Sequence, residues 1–71
     1  MLTCYISIYL NGKPFNCKPN LLLEDLLVYL DINSNSIIVE YNNDIIQDAL
    51  LNQIVLRHGD KVEVLTMVGG G

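Results

Sequence analysis

Basic residues are scarce in this chain: four lysines and arginines stand against eight acids, for a net charge of −4, and no basic run occurs. Nucleic-acid binding therefore has no electrostatic basis, because phosphate contacts from Lys and Arg supply most of its affinity. An acidic surface favours a protein partner with a basic docking face instead. No apolar stretch approaches the ~20 residues of a membrane span. The start, Met1-Leu2-Thr3-Cys4-Tyr5, lacks a basic region followed by a long apolar core, so no secretory signal is expected. The expected location is where the chain is made, in the cytoplasm or the plastid stroma; the abundance of Asn and Ile, as AT-rich coding produces, points weakly the same way. Cysteine is sparse too: Cys4 and Cys17 have no Cys-x-x-Cys or Cys/His spacing for a metal and are expected as free thiols in a reducing compartment.

With 71 residues the chain makes one small domain. A domain of this size buries roughly 60% of its unfolded surface, a core too thin for a large internal active site. Hydrophobic residues at 51% and charged ones at 17% exclude disorder of the whole chain.

What is present is a sequence of short patterned segments. Cys4, Ile6, Ile8 and Leu10 alternate with Thr3, Tyr5, Ser7 and Tyr9, as in a half-buried strand. Asn11-Gly12 follows, a strong signal for a type I′ hairpin turn. A two-residue loop pairs Leu10 with Lys13, Ile8 with Phe15 and Ile6 with Cys17, and it turns Phe15 and Cys17 to the core. Cys4 then sits diagonal to Cys17, about 7–8 Å across the ladder, too far for an unstrained disulfide. Both are expected as small core residues. After Lys18-Pro19-Asn20, the segment 21–31 places Leu23, Leu26, Leu27 and Leu30 on one helical face, with Glu24 and Asp25 in the first turn where the helix dipole favours them. Asn20 is the only good N-cap nearby, although it lies a residue or two early. Asn33 to Ser36 is a loop, 37–41 a short buried strand, and Asn42-Asn43-Asp44 a turn before a brief strand at Ile45-Ile46. Residues 48–53 are a turn or one helical turn. Arg57-His58-Gly59-Asp60 turns the chain into a last strand, 61–68.

This order describes an α+β sheet gripping one helix. With the first and last strands parallel and adjacent at the centre it is a β-grasp, ubiquitin-like fold: a mixed sheet of four to five strands on one helix. The domain spans 1–68, and 69–71 form a flexible C-terminal tail.

Few residues offer chemistry of their own. His58 lies in a turn and reads as solvated, while both cysteines point to the predicted core, away from any base. Asp44, Asp48 and Asp60 are scattered without metal-ligand spacing. No catalytic or metal site is expected, and no bound cofactor. The tail stands out. Gly69, Gly70 and Gly71 follow Val68 directly; with no Cβ they make a thin thread that enters narrow openings, ending in the Gly71 carboxylate. The plain alternative is a frayed end. On the outward sheet face, adjacent first and last strands set Tyr5 and Tyr9 near Leu65, Met67 and Val68, a patch at the tail's root of the kind that marks partner sites. Ordinary cross-strand packing is the alternative.

The segments Ile8-Tyr9-Leu10-Asn11-Gly12-Lys13, Glu24-Asp25-Leu26-Leu27, Ile38-Val39-Glu40-Tyr41-Asn42 and Gly59-Asp60-Lys61-Val62-Glu63-Val64, with the Val68-Gly69-Gly70-Gly71 end, resemble the ThiS family, the sulfur carriers of thiamin biosynthesis. The resemblance spans nearly the whole chain and rests on the order of the segments. The first strand begins several residues earlier than is usual, and Leu21-Leu22 stand where a polar cap is commoner. The resemblance implies a protein co-substrate, not an enzyme. A ThiF-like adenylyltransferase, similar to ubiquitin-activating enzymes, would use ATP to adenylate Gly71. Sulfur from cysteine through a desulfurase would replace AMP to leave a thiocarboxylate, which would give its sulfur to a ThiG-like thiazole synthase. Gly69 and Gly70 would be the tether of a monomer that docks transiently. Two alternatives stand beside this: a related carrier such as the small subunit of molybdopterin synthase, and a non-covalent β-grasp interaction module with an inert tail.

Overall fold

The computed structural model describes residues 4–66. Along the chain run strands β1 (Ile6–Leu10) and β2 (Lys13–Cys17), helix α1 (Leu23–Tyr29), and strands β3 (Ile37–Tyr41), β4 (Asp44–Ile46) and β5 (Lys61–Thr66). The five strands form one sheet in the order β2-β1-β5-β3-β4. β1 and β5 lie parallel at its centre, and the other neighbours are antiparallel. This is the expected β-grasp, with the full five strands.

Local chemistry explains both hairpins. Asn11 and Gly12 take φ of 50° and 82°, the type I′ geometry that suits the twist of flanking strands. The turn sets the predicted register, Leu10 opposite Lys13, Ile8 opposite Phe15 and Ile6 opposite Cys17. Asn42 and Asn43, at φ 50° and 75°, repeat the device between β3 and β4. Asn tolerates this left-handed region because its short side chain bonds locally. Asp44 therefore already belongs to the returning strand.

Helix α1 is shorter than the segment 21–31. Its N-cap is Leu22, not Asn20, which turns outside the helix at φ 66°. Leu22 offers no capping oxygen; instead the Asp25 carboxylate accepts the Leu22 N–H at 3.3 Å. At the other end Asp31 adopts φ 58°. Its N–H bonds the Val28 carbonyl at 3.0 Å, and the Ile32 N–H reaches back to the Leu27 carbonyl at 2.9 Å. That Schellman closure stops the helix at Tyr29.

Residues 54–56 run antiparallel to 21–23: the Leu23 N–H bonds the Ile54 carbonyl at 2.9 Å, and the Leu56 N–H bonds the Leu21 carbonyl at 2.8 Å. The pairing holds the 3-10 turn Asp48–Gln53 against α1 and buries Leu51 and Leu56. The core comprises Ile8, Cys17, Leu23, Leu26, Leu27, Val39, Leu51, Leu56 and Val62. Each fully buried aliphatic side chain contributes about 1.5–3 kcal/mol.

Cys17 is buried as expected, but Cys4 is exposed. Pairing with β2 ends at the rung Ile6–Cys17, and among the described residues no strand pairs with Cys4 to cover it. The last strand is described to Thr66; Met67, Val68 and the tail, with the expected boundary at 68, lie outside the described residues.

Candidate functional site

The turn before β5 fixes how that strand leaves the body. The Asp60 carboxylate accepts hydrogen bonds from the Tyr41 hydroxyl, from the Arg57 N–H at 2.8 Å and from Asn42 Nδ2 at 3.2 Å. Asn42 Oδ1 in turn accepts the Lys61 N–H at 2.8 Å. Burial pushes the Asp60 carboxyl up, but the Tyr41, Arg57 and Asn42 hydrogen bonds and the Arg57 charge outweigh it, and the group sits below its ordinary 3.8. Burial first and then the Asp60 hydrogen bond and charge push the Tyr41 hydroxyl up to about 12. Asp60 is thus a structural clamp.

His58 has a structural task as well. It is exposed, yet its Nδ1 accepts the Ser7 N–H at 3.1 Å, which places the ring proton of the neutral form on Nε2. The neighbouring Gly59 N–H bonds the Ser7 carbonyl at 2.8 Å, so the turn extends the β1–β5 ladder. Cys17 is not set up as a nucleophile: burial pushes its thiol up, away from the reactive thiolate. Among the described residues no group of three or more His, Cys, Asp or Glu is arranged to hold a metal ion, and no helix is long and apolar enough to cross a membrane.

Farther along β5, Asn11 does more than turn the hairpin. Its N–H bonds the Val62 carbonyl at 2.9 Å, and its side-chain Oδ1 accepts the Val64 N–H at 2.8 Å. The turn residue thereby carries the ladder one rung beyond the end of β1. It ties β5 to the hairpin two residues before Thr66, the last described residue.

The parallel register divides the expected patch. Tyr9 pairs with Lys61, so Leu65 lies four residues farther along β5, roughly 13 Å away at 3.3 Å per residue. Leu65 is half-exposed opposite Ile38 of β3. Tyr5, ahead of β1, lines a groove of about 360 Å³ between β2 and α1 with Phe15, Cys17, Leu21, Leu26 and Tyr29. Met67, Val68, Gly69, Gly70 and Gly71 lie outside the described residues.

Between Tyr9 and Leu65 lie residues that the chain's pattern had not singled out. Glu63 stands directly opposite Glu40, and Glu40 opposite the exposed Ile45. The outward rows along β5 thus read Lys61 beside Tyr9, Glu63 beside Glu40, and Leu65 beside Ile38. Extending the alternation of 37–41 across the sheet would have found Ile38 and Glu40. Their neighbours on β5 depend on register, which local pattern does not supply.

Known proteins resemble this chain in sequence, and a solved structure resembles it in fold. A family model described as the ThiS family matches residues 8–71. A protein of Porphyra purpurea named uncharacterized protein ycf40 is 45% identical over 71 residues, covering all of both chains. The thiazole synthase of Magnetococcus marinus is 33% identical over 66 residues, 93% of this chain but 20% of that protein. The crystal structure of the thiamine biosynthesis protein ThiS from Geobacter metallireducens superposes with a TM-score of 0.82 at 28% identity, covering 93% of this chain and 100% of that one.

Proposed function

The chain belongs to the ThiS family of sulfur carriers, and from that premise we propose that Gly71 is the residue that carries sulfur, for the thiazole ring of thiamin. One observation carries the proposal: the family match runs through the three consecutive glycines Gly69, Gly70 and Gly71. A carboxylate is a poor electrophile until its oxygen becomes a good leaving group. A ThiF-like adenylyltransferase supplies this by joining the Gly71 carboxylate to AMP from ATP with release of pyrophosphate. A desulfurase draws sulfur from cysteine as a persulfide; its outer sulfur, released at the oxidation level of sulfide by a thiol reductant that ends as a disulfide, then displaces AMP and leaves a thiocarboxylate. That soft nucleophile is handed to thiazole synthase. Gly69 and Gly70 let the thread enter both enzymes in turn.

The body of the carrier contributes no catalytic group to this scheme. Its work is to hold β5 by Asn11 and Asp60 and to present a face to partners. The likeness to one fifth of a thiazole synthase supports that enzyme class as the acceptor, since a segment like this chain there shares a polypeptide with the synthase. Two free thiols suit a reducing compartment, cytoplasm or plastid stroma. A transient monomer suits a carrier that visits two enzymes.

The test is intact mass after incubation with ATP, the adenylyltransferase and a sulfur source. A gain equal to the replacement of one oxygen by sulfur at Gly71 is expected. No gain with an enzyme competent on its own carrier overturns the proposal and leaves a non-covalent interaction module. Reconstitution of the thiocarboxylate with thiazole synthase and with the large subunit of molybdopterin synthase separates the two acceptors.

A further inference from the structure

The Asn11-Gly12 pair that makes the first hairpin also carries a reaction of its own. An asparagine carboxamide followed by glycine is open to attack from the backbone, because glycine has no side chain to shield its nitrogen. No other asparagine of the chain precedes glycine. Asn11 is exposed, a Cβ at Gly12 would meet nothing within 4 Å, and Gly12 lines an open cleft with Tyr9, Lys61 and Glu63. Water reaches the pair.

The fold restrains this chemistry in two ways. Attack needs the Gly12 nitrogen eclipsed with the Asn11 Cβ, at a ψ of about −120°, whereas the first central residue of a type I′ turn sits near ψ of about +30°, the mirror of type I. Asn11 is held in that turn at φ 50°. Its carboxamide is held as well: Oδ1 accepts the Val64 N–H at 2.8 Å, and the Asn11 N–H bonds the Val62 carbonyl at 2.9 Å. Both bonds reach across to β5, whose strand pairing with β1 is short, Tyr9 with Lys61 and Leu10 with Val62. Cyclisation therefore waits until the turn parts from β5.

We propose that Asn11 is a modification site, the position at which this chain deamidates, and that parting of the turn from β5 is the gate. In the open turn the Gly12 nitrogen attacks Asn11 Cγ. The new N–Cγ bond forms, the Cγ–Nδ2 bond breaks, and the carboxamide nitrogen leaves as ammonia with the Gly12 amide proton. The succinimide that remains is opened by water at one of two bonds, with no change of oxidation level. Cleavage at Cγ gives aspartate, whose carboxylate still accepts the Val64 N–H. Cleavage at the backbone carbonyl gives isoaspartate. The main chain then gains one atom and runs through Cγ, so the two-residue turn and the acceptor for Val64 are lost together. The modification is a one-way release of β5 from the hairpin.

The full chain is aged in mildly alkaline buffer across a urea series that ends in the unfolded state. Conversion is followed by peptide mass and by methyl transfer from S-adenosylmethionine with an isoaspartyl methyltransferase. Amide exchange at Val64 is measured in parallel, and Asn11→Gly is the blank. Conversion should appear first in the peptide that holds Asn11. It should rise in proportion to Val64 exchange, to roughly tenfold above the native rate before global unfolding. The isoaspartate form should exchange its Val64 amide roughly tenfold faster than the unmodified chain, and Asn11→Asp within about twofold of it. Earlier conversion at another asparagine, or none at Asn11 in the unfolded chain, overturns the site. A conversion rate that ignores urea while Val64 exchange climbs overturns the gate. An isoaspartate form with unmodified Val64 exchange overturns the release of β5.

Discussion

The two faces of one sheet follow opposite rules. Inward, Ile8, Val39 and Val62 are sealed under α1, and no charged or polar residue is buried among the described residues. Outward, the same three strands show Tyr9, Glu40 and Glu63, two of them placed where they repel each other. Neighbours in sequence thus serve different ends. The inner rows contribute the burial that a domain of this size depends on, while the outer rows keep charge and apolar area that folding does not use. The clamps at the ends of β5, Asn11 and Asp60, connect the two by fixing which way each row faces.

Deleting Gly70 and Gly71 should produce the largest effect, complete loss of thiocarboxylate formation by mass, with the melting temperature unchanged. A fall in melting temperature would show that the tail belongs to the packed body after all. Next comes the inner face. Leu26→Ala should destabilise by about 2–4 kcal/mol in urea unfolding, a large share of the total for a small domain. Thiocarboxylation of the folded fraction should not change. Loss of transfer from molecules still folded would erase the division between faces.

Asn11→Gly keeps the φ > 0 turn but removes the acceptor for the Val64 N–H. A cost of about 1 kcal/mol is expected, with faster amide exchange at Val64. An unchanged exchange rate would remove Asn11 as the clamp of β5. Acid and base titrate the other clamp. Asp60 is depressed in the folded state, so its stabilisation is present above 3.8 and is lost as pH falls through the lower folded value. Tyr41 is raised from 10.0 to about 12, so its contribution is present below 10 and is lost as pH rises across that interval. Asp60→Asn should flatten the acid limb seen by circular dichroism; an unaltered limb would assign it to other carboxylates. The smallest effect is expected at Asn43, held at φ 75°. Asn43→Gly should stabilise by up to about 1 kcal/mol, because glycine enters this region without a steric cost. Destabilisation would mean that the asparagine side chain repays its strain.

Much of the fold was legible because its signals are local. Asn11-Gly12 demands one turn type, and that turn fixes the β1–β2 register. The spacing of Leu23, Leu26, Leu27 and Leu30 marks a helical face wherever the helix begins. Where local signals compete, tertiary contacts prevailed. Asn20 looked like the cap, but pairing of 21–23 with 54–56 holds Leu21 and Leu22 extended and delays the helix to Leu23. Cys4 continued the alternation, yet among the described residues no strand stands opposite to bury it. Asn42-Asn43 lacked glycine, so the second hairpin read as a three-residue turn including Asp44, although it closes in two residues.

The candidate site shows the same division. The absence of a basic run and the sparse histidine and cysteine pointed away from nucleic acid and catalysis, and the terminal glycines to a slender thread or a frayed end; the carrier reading itself came from the resemblance to the ThiS family. The face that the body presents could not be found in that way. Tyr5, Tyr9 and Leu65 are all outward candidates by alternation, but the rung joining Tyr9 to Lys61 separates Leu65 from both tyrosines, and the β3–β5 register places Glu63 against Glu40. Side-chain alternation is a property of one strand and is written in its residues. Which residues become neighbours across strands distant in sequence is set by register, and register is decided only when the turns, the helix and the buried rows are satisfied together.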